Sequence, residues 1–299
     1  MIEVKHLTKR FGAITALDDI SFQVDSGSIF GLVGSNGAGK STFLRTAAGV
    51  YRPDAGSVLI DGGEPFENLS VKGNVCFISD YPYFPRAATL TDMEDLFSHT
   101  YPHWDKERFH YLCSCFPLDT KQRILNMSKG MQRQAAILCA LGARPTHLLL
   151  DEIFDGLDPV MRQLLKRILS GEVSDRGMTV VIASHNLREL EDICDHVGLF
   201  HRGGVIFDRE LDSLKLGISR VQAMFRPMPD RSAFDSFDLV TLRTQGSLVD
   251  FVARGTQEDI LAKLSAMNPV FSELLPLTLE EVFISEMEAA GYDIDNILS

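Results

Sequence analysis

Short apolar runs recur along the chain as far as residue 203, and several are followed by a segment of helical period. "SIFGLVG" (28–34) ends in glycine and meets "KSTFLRTAAG", the pattern of a strand, a loop and a helix. Further β-like runs are "SVLIDG" (57–62), "NVCFIS" (74–79), "HLLLD" (147–151), "TVVIAS" (179–184) and "HVGLFHRG" (196–203). Strands alternating with helices predict a parallel sheet with helices packed on both faces. Residues from about 82 to 140 break this rhythm, with helical patterns and no strong strand. "TDME" (91–94) reads as a capping box opening one helix, and "DKERFHYLCSCF" as a second helix. This stretch predicts a helical subdomain inserted into the α/β core.

After "LDSLKLGISR" (211–220) the pattern changes again. "VQAMFRP", "FDLVTLRT" and "SLVDFVARG" predict strands, and "TQEDILAKLSAM" and "TLEEVFISEMEAAG" predict helices. A boundary is expected near residue 218, giving a domain of residues 1–217 and a smaller α+β domain of residues 218–299. Within the last predicted helix, Val282, Phe283 and Met287 form an apolar stripe suited to packing on its own domain. No internal repeat or low-complexity segment interrupts the reading.

Composition narrows the class of partner. The chain has 299 residues, is 45% hydrophobic and 23% charged, and carries a formal net charge of −12, so an acidic globular protein with room for two domains is expected. Nucleic acid is not expected as a partner, since phosphate backbones need a basic footprint. Cys76, Cys113, Cys115, Cys139 and Cys194 show no C-x-x-C spacing and read as reduced thiols of a cytosolic protein, mostly core filler. His110 with Cys113 and Cys115 does not make a usual zinc spacing. The N-terminal "MIEVKHLTKR" lacks the apolar stretch of a signal peptide, and no apolar run approaches the roughly 18 residues that span a bilayer.

The chemistry concentrates at two strand ends. "GSNGAGKST" (34–42) fits G-x-x-x-x-G-K-[ST], a pattern expected by chance in about one chain in a hundred of this length. It follows a predicted strand and opens a predicted helix, the placement phosphate binding requires. Its glycines let successive N–H groups turn inward toward an anion. Lys40 is then placed to reach β- and γ-phosphates, and the Ser41 hydroxyl to ligate Mg²⁺. "HLLLDE" (147–152) ends a buried strand in two carboxylates. Asp151 suits Mg²⁺ through water, and Glu152 suits a general base that polarises an attacking water. Alone, the pair would also serve as an acidic helix N-terminus. "NMSKGMQRQ" (126–134) is a polar turn before a helix, where Ser128 and Gly130 can either cap the helix or present its free N–H groups to an anion.

Together these motifs resemble the ATP-binding subunits of ABC transporters. The resemblance covers nearly all of residues 1–216, with six motifs in the family's order. It implies a P-loop NTPase core that hydrolyses ATP with Mg²⁺. Gly34, Ser35, Asn36, Gly37, Ala38, Gly39, Lys40, Ser41 and Thr42 form the phosphate loop, and "MSKGM" (127–131) stands where the family has its signature turn. "IFDGLDP" (153–159) looks like the D-loop, His185 in "IASHNL" like the switch histidine that senses γ-phosphate, and Phe11 like the aromatic that stacks on adenine, with Ala16 beside it. In this family the signature of one subunit faces the phosphate loop of another across ATP. Ser128 and Gly130 are therefore expected to serve the partner's γ-phosphate, in a homodimer or heterodimer.

Two motifs depart from the family's pattern. Lys129 and Met131 replace glycine and glutamine, and "SKGM" is similar to ATPases of the ABC-2 exporter type. Asp80 stands where the Q-loop has glutamine; a carboxylate can approach Mg²⁺ or the lytic water but cannot donate a hydrogen bond. The resemblance implies an ATPase on the cytoplasmic side of the cell membrane, driving a separate transmembrane permease, with export expected. The rival readings are a soluble ABC ATPase that acts as a mechanical switch on a cytosolic complex, and a non-hydrolysing ATP-binding module; Glu152 and His185 argue against the latter.

Overall fold

The structure is a computed structural model that describes residues 1–275 and 277–289, with only the backbone for Lys215, Leu216 and 285–289. It divides into two compact units, Met1–Asp208 and a second that begins at Arg209. In the first, β1 (Ile2–Phe11) and β2 (Ile14–Val24) form an antiparallel hairpin that the apolar pattern did not reveal. β3 (Ile29–Val33) then leads through the glycine loop into α1 (Lys40–Ala47). β4 (Ala55–Ile60) was expected to join the alternating parallel sheet. It pairs antiparallel with β1 instead, giving a separate sheet of order β2-β1-β4.

The parallel sheet is built from the continuous apolar runs. After α2 (Leu69–Lys72) come β5 (Val75–Ile78), β6 (His147–Asp151), β7 (Thr179–Ser184), β8 (His196–His201) and β9 (Gly204–Glu210), and the sheet order is β5-β6-β7-β3-β8-β9, in which β5, β6, β7, β3 and β8 pair in parallel and β9 adds at the edge after a two-residue turn. Every residue of β3, β6 and β7 is buried, as expected for strands covered on both faces. α1 buries Phe43, Leu44 and Ala47 in one core with Leu17 and Phe22 of the hairpin, Val58 of β4, and Leu149, Val181 and Phe200 of the parallel sheet. Each large side chain so buried contributes about 1.5–3 kcal/mol. That packing fixes the start of α1 against the strand ends.

Between β5 and β6 lie α3 (Leu90–Thr100), α4 (Lys106–Cys115) and α5 (Lys129–Gly142), with no strand between Ile78 and His147. The capping box is not at Thr91 and Glu94. It is two residues earlier, where Thr89 accepts from Asp92 N and Asp92 accepts from Thr89 N. α6 (Pro159–Arg176), capped by Asp158, and α7 (Leu187–Glu191) complete this unit. Arg108 of α4 and Arg144 both pair with the buried Glu172 of α6.

The second unit holds α8 (Leu211–Leu216), β10 (Ile218–Met224), β11 (Asp238–Gln245), β12 (Leu248–Arg254), α9 (Gln257–Ala266), β13 (Phe271–Leu275) and α10 (Leu279–Ala289). Its antiparallel sheet has the order β11-β12-β10-β13, and β13 has no counterpart among the predicted strands. Phe225, Phe234, Phe237 and Phe251 form its core together with Ile260 and Leu264 of α9. Of the apolar stripe on α10, Val282 is buried and Phe283 half-buried, while the Met287 side chain lies outside the described residues.

Candidate functional site

Parallel register brings the chemistry to one edge. Val33 is level with Ser184, Ala183 with Asp151, and Leu150 with Ile78, so the chain leaves β3, β7, β6 and β5 at the same end of the sheet. The residues that follow these strands include Gly34, His185, Glu152 and Asp80. Ligands of open α/β sheets bind at this carboxyl edge.

The glycine loop is braced from behind. Gly34 has φ +154°, and a Cβ there would lie 2.3 Å from the Phe200 carbonyl oxygen; at Gly39, with φ +110°, a Cβ would lie 2.7 Å from the carbonyl of Ala16. Glycine is therefore required at both positions by backbone contact as well as by φ. Gly203 N donates to the Ala38 carbonyl at 3.0 Å, so the turn between β8 and β9 supports the loop, a role the sequence motif did not announce. Ser35, Asn36 and Gly37 form the exposed rim, and Ala38 is buried.

Lys40 is buried, and its ammonium donates to the carbonyls of Gly34 and Ser35, closing the loop on itself. Burial lowers its pKa, while the charges of Glu152 and Asp151 act in the opposite direction. Replacing Lys40 by alanine removes a charge-assisted contact worth about 1.5–3 kcal/mol to a bound phosphate, or roughly 10- to 150-fold in affinity. A fluorescent-ATP titration is expected to show that loss, and an unchanged Kd would contradict the loop's role. Thr42, one residue beyond Ser41, accepts from the Thr46 hydroxyl through its carbonyl and belongs to the first turn of α1.

Ser41 Oγ donates to Asp151 Oδ1 at 3.0 Å. Asp151 is buried, and its Oδ2 has no hydrogen-bond partner among the described residues. An unpartnered carboxylate oxygen beside a hydroxyl is the oxygen-rich donor set that a small hard cation takes, so these residues fit Mg²⁺. Burial pushes the Asp151 carboxyl above the ordinary range, against the Ser41 hydrogen bond. With the folded pKa raised, the folded state holds more protons than the unfolded one in the window just above the ordinary carboxylate pKa. Stability of the ligand-free chain then falls as pH rises through that window and stays lowered at pH 7. Asp151→Asn is expected to raise the ligand-free Tm at pH 7 by about 2–4 °C, the shift of roughly 1 kcal/mol for a unit of this size. The same variant should lose the further stabilisation that Mg²⁺ and ATP give the wild type. Differential scanning fluorimetry checks both.

Glu152 has φ +49°, a left-handed turn directly after β6. Conformations of this kind cost a non-glycine residue about 1–2 kcal/mol. The turn presents the carboxylate to His185, whose Nδ1 lies 2.9 Å from Glu152 Oε2, while His185 N donates to the same oxygen at 3.4 Å. Burial pushes the Glu152 carboxyl upward, and His185 and Lys40 pull it back. Asp155 joins them: one ligand atom each from Glu152, Asp155 and His185 lie within 4.8 Å of one another. Sequence reading did not single out Asp155; its place three residues after Glu152, in the following turn, was the available signal.

Ser128 caps α5, accepting from Met131 N at 3.3 Å. A Cβ on Gly130 would stand 2.5 Å from the Gly156 carbonyl oxygen, so the start of α5 packs on the turn that follows Glu152. Lys129 is exposed, with its ammonium 5.9 Å from the Tyr81 ring centroid. Asp80 is paired with Arg133 of α5. Phe11 is 43% exposed, edge-on to Tyr51 at 5.2 Å, and Lys9 sits over its ring at 5.4 Å. A half-exposed aromatic of this kind can stack on a flat ring. Ala16 lies close by the phosphate loop through Gly39.

Residues 17–155 match the family model described as "ABC transporter". The chain is similar to the ABC transporter ATP-binding protein YtrB of Bacillus subtilis (strain 168), with 29% identity over 286 residues, 96% of this chain and 98% of that one. It is 32% identical over 220 residues to the bacitracin transport ATP-binding protein BcrA of Bacillus licheniformis, covering 72% of this chain and 71% of the relative. Among solved structures, "Structure of ATP binding subunit of ABC transporter" superposes with a TM-score of 0.67 at 27% identity, over 72% of this chain and 92% of that one.

Proposed function

Since this chain belongs to the ABC transporter ATP-binding family and is an ATPase subunit of that family, we propose that it powers an exporter whose pore is a separate membrane protein. The observation that carries the catalytic part is the pair of contacts at one strand end: Ser41 to Asp151 at 3.0 Å and Glu152 to His185 at 2.9 Å. The N–H groups of residues 34–42 and Lys40 bind the phosphates of ATP, and Phe11 stacks on its base. Ser41 and Asp151 would hold Mg²⁺, with Asp80 near them. When bound, Mg²⁺ would neutralise phosphate charge that develops during the reaction. Glu152 accepts a proton from the attacking water, and His185 orients Glu152 and contacts the γ-phosphate. Ser128 and Gly130 complete the site of a second ATP-binding subunit, so two ATP molecules close a dimer and hydrolysis reopens it.

ABC ATP-binding subunits work with membrane permeases. Among the described residues no helix is long and apolar enough to cross a membrane. We place the chain on the cytoplasmic face, held by its permease. Export is supported by the "SKGM" turn, which resembles the ABC-2 exporter type. The test is affinity purification of the tagged chain from detergent-solubilised membranes. A co-purifying multi-span protein whose co-expression stimulates ATP hydrolysis supports the reading. Recovery of a soluble complex alone favours the cytosolic switch.

A further inference from the structure

Arg133 joins three segments through one buried guanidinium. Its side chain is 10% exposed and sits on α5, five residues after Ser128. One terminal nitrogen donates to the Asp155 carbonyl, in the turn after Glu152. The other donates to the Asp80 carboxylate and, at 3.1 Å, to the Asp80 carbonyl. A planar guanidinium suits such a task, because its fork holds two partners in fixed directions. Asp80 also stands at the catalytic edge: Ile78 of β5 is level with Leu150 of β6, so Asp80, just beyond β5, and Asp151, the last residue of β6, lie at neighbouring strand ends.

We propose that Arg133 is a positioning residue whose pairing with Asp80 forms a latch, and that a divalent cation at Ser41 and Asp151 must draw Asp80 out of it. The proposal rests on the phosphate and Mg²⁺ reading above. One carboxylate cannot give its full charge to both cations, so cation binding and latch closure oppose each other. Opening the latch removes a partner from Arg133 and loosens its hold on the Asp155 turn. That turn is the surface on which Gly130 packs. Loading of the metal site is thereby transmitted within one chain to the helix that carries Ser128. The departure of Asp80 from the family's glutamine gains a physical reason, since a neutral amide would make a weaker latch with Arg133 and a weaker ligand for the cation.

The test is a double-mutant cycle on the full chain with Arg133→Gln, Asp80→Asn and the pair. The first reading is the Mg²⁺ concentration that half-saturates tight binding of a fluorescent ATP analogue. Freeing Asp80 from Arg133 should lower it at least threefold in the Arg133→Gln variant. The same substitution should have no effect once Asp80 is Asn. An Arg133→Gln response equal to wild type, or an equal shift in both backgrounds, overturns the latch. Arg133→Lys keeps the charge without the fork, so it should shift the response in the same direction by a smaller factor; no shift, or the opposite one, counts against the proposal. The second reading needs no nucleotide or metal. In thermal unfolding the two single losses in Tm should be strongly non-additive, whereas additive losses would mean that no latch exists. Failure of the wild type to bind the ATP analogue at any Mg²⁺ concentration would refute the proposed function instead, and the unfolding cycle would still decide the latch.

Discussion

Glu152→Gln is expected to cut steady-state ATP hydrolysis by about 10²–10⁴-fold, the usual contribution of a positioned general base, while leaving ATP affinity within about twofold of wild type. The amide keeps the shape and can still meet His185, but it cannot accept the proton of the attacking water. Phosphate contacts come from other residues, so binding survives. The wild-type rate should also report this carboxyl. Burial holds its pKa above the ordinary range, partly offset by His185 and Lys40. The ionised, active fraction therefore falls on the acid side at a higher pH than for an exposed glutamate. Wild-type turnover in the variant would remove Glu152 from its role.

Ser128→Arg is expected to abolish hydrolysis with little loss of fold. In this chain Ser128 is an exposed N-cap with one side-chain hydrogen bond, at 3.3 Å. Losing such a cap costs about 1 kcal/mol. If capping were its whole task, turnover would survive. If Ser128 also meets the phosphate bound to a second subunit, a long cation there blocks docking, so ATP binding by the monomer persists while dimer closure fails. Mixing this variant with Lys40→Ala should restore part of the activity, because one of the two sites then pairs an intact phosphate loop with an intact signature. Tm, ATP affinity and turnover, measured on one preparation, separate the two readings.

Legibility from sequence followed the range of the interactions. The strands at 29–33, 147–151 and 179–184 were legible because burial on both faces leaves an unbroken apolar run, and the glycine loop because its chemistry is contiguous. The β1–β2 hairpin was not, since register shifts between Val4 and Leu7 and again before Lys9 and Arg10 break the two-residue period. "TLTDME" contains two overlapping capping patterns; burial of Leu90 and Met93 selects the phase that starts at Thr89, and only tertiary packing supplies that choice. At the site, Ser41, Asp151, Glu152 and His185 come together as expected because register aligns their strand ends. Arg133 was invisible because its partners lie 53 and 22 residues away. The brace of Gly34 by Phe200 was hidden for the same reason.

Each complete ATP site is expected to need two chains. Size-exclusion chromatography with light scattering on purified Glu152→Gln protein, with and without ATP, tests it directly. The expected result is a monomer of about 33 kDa without nucleotide and a dimer of twice that mass with ATP, lost when Ser128→Arg is added. A chain that binds ATP tightly yet stays monomeric in the presence of any second ATP-binding subunit with which it co-purifies, or that hydrolyses ATP as an isolated monomer, would contradict it.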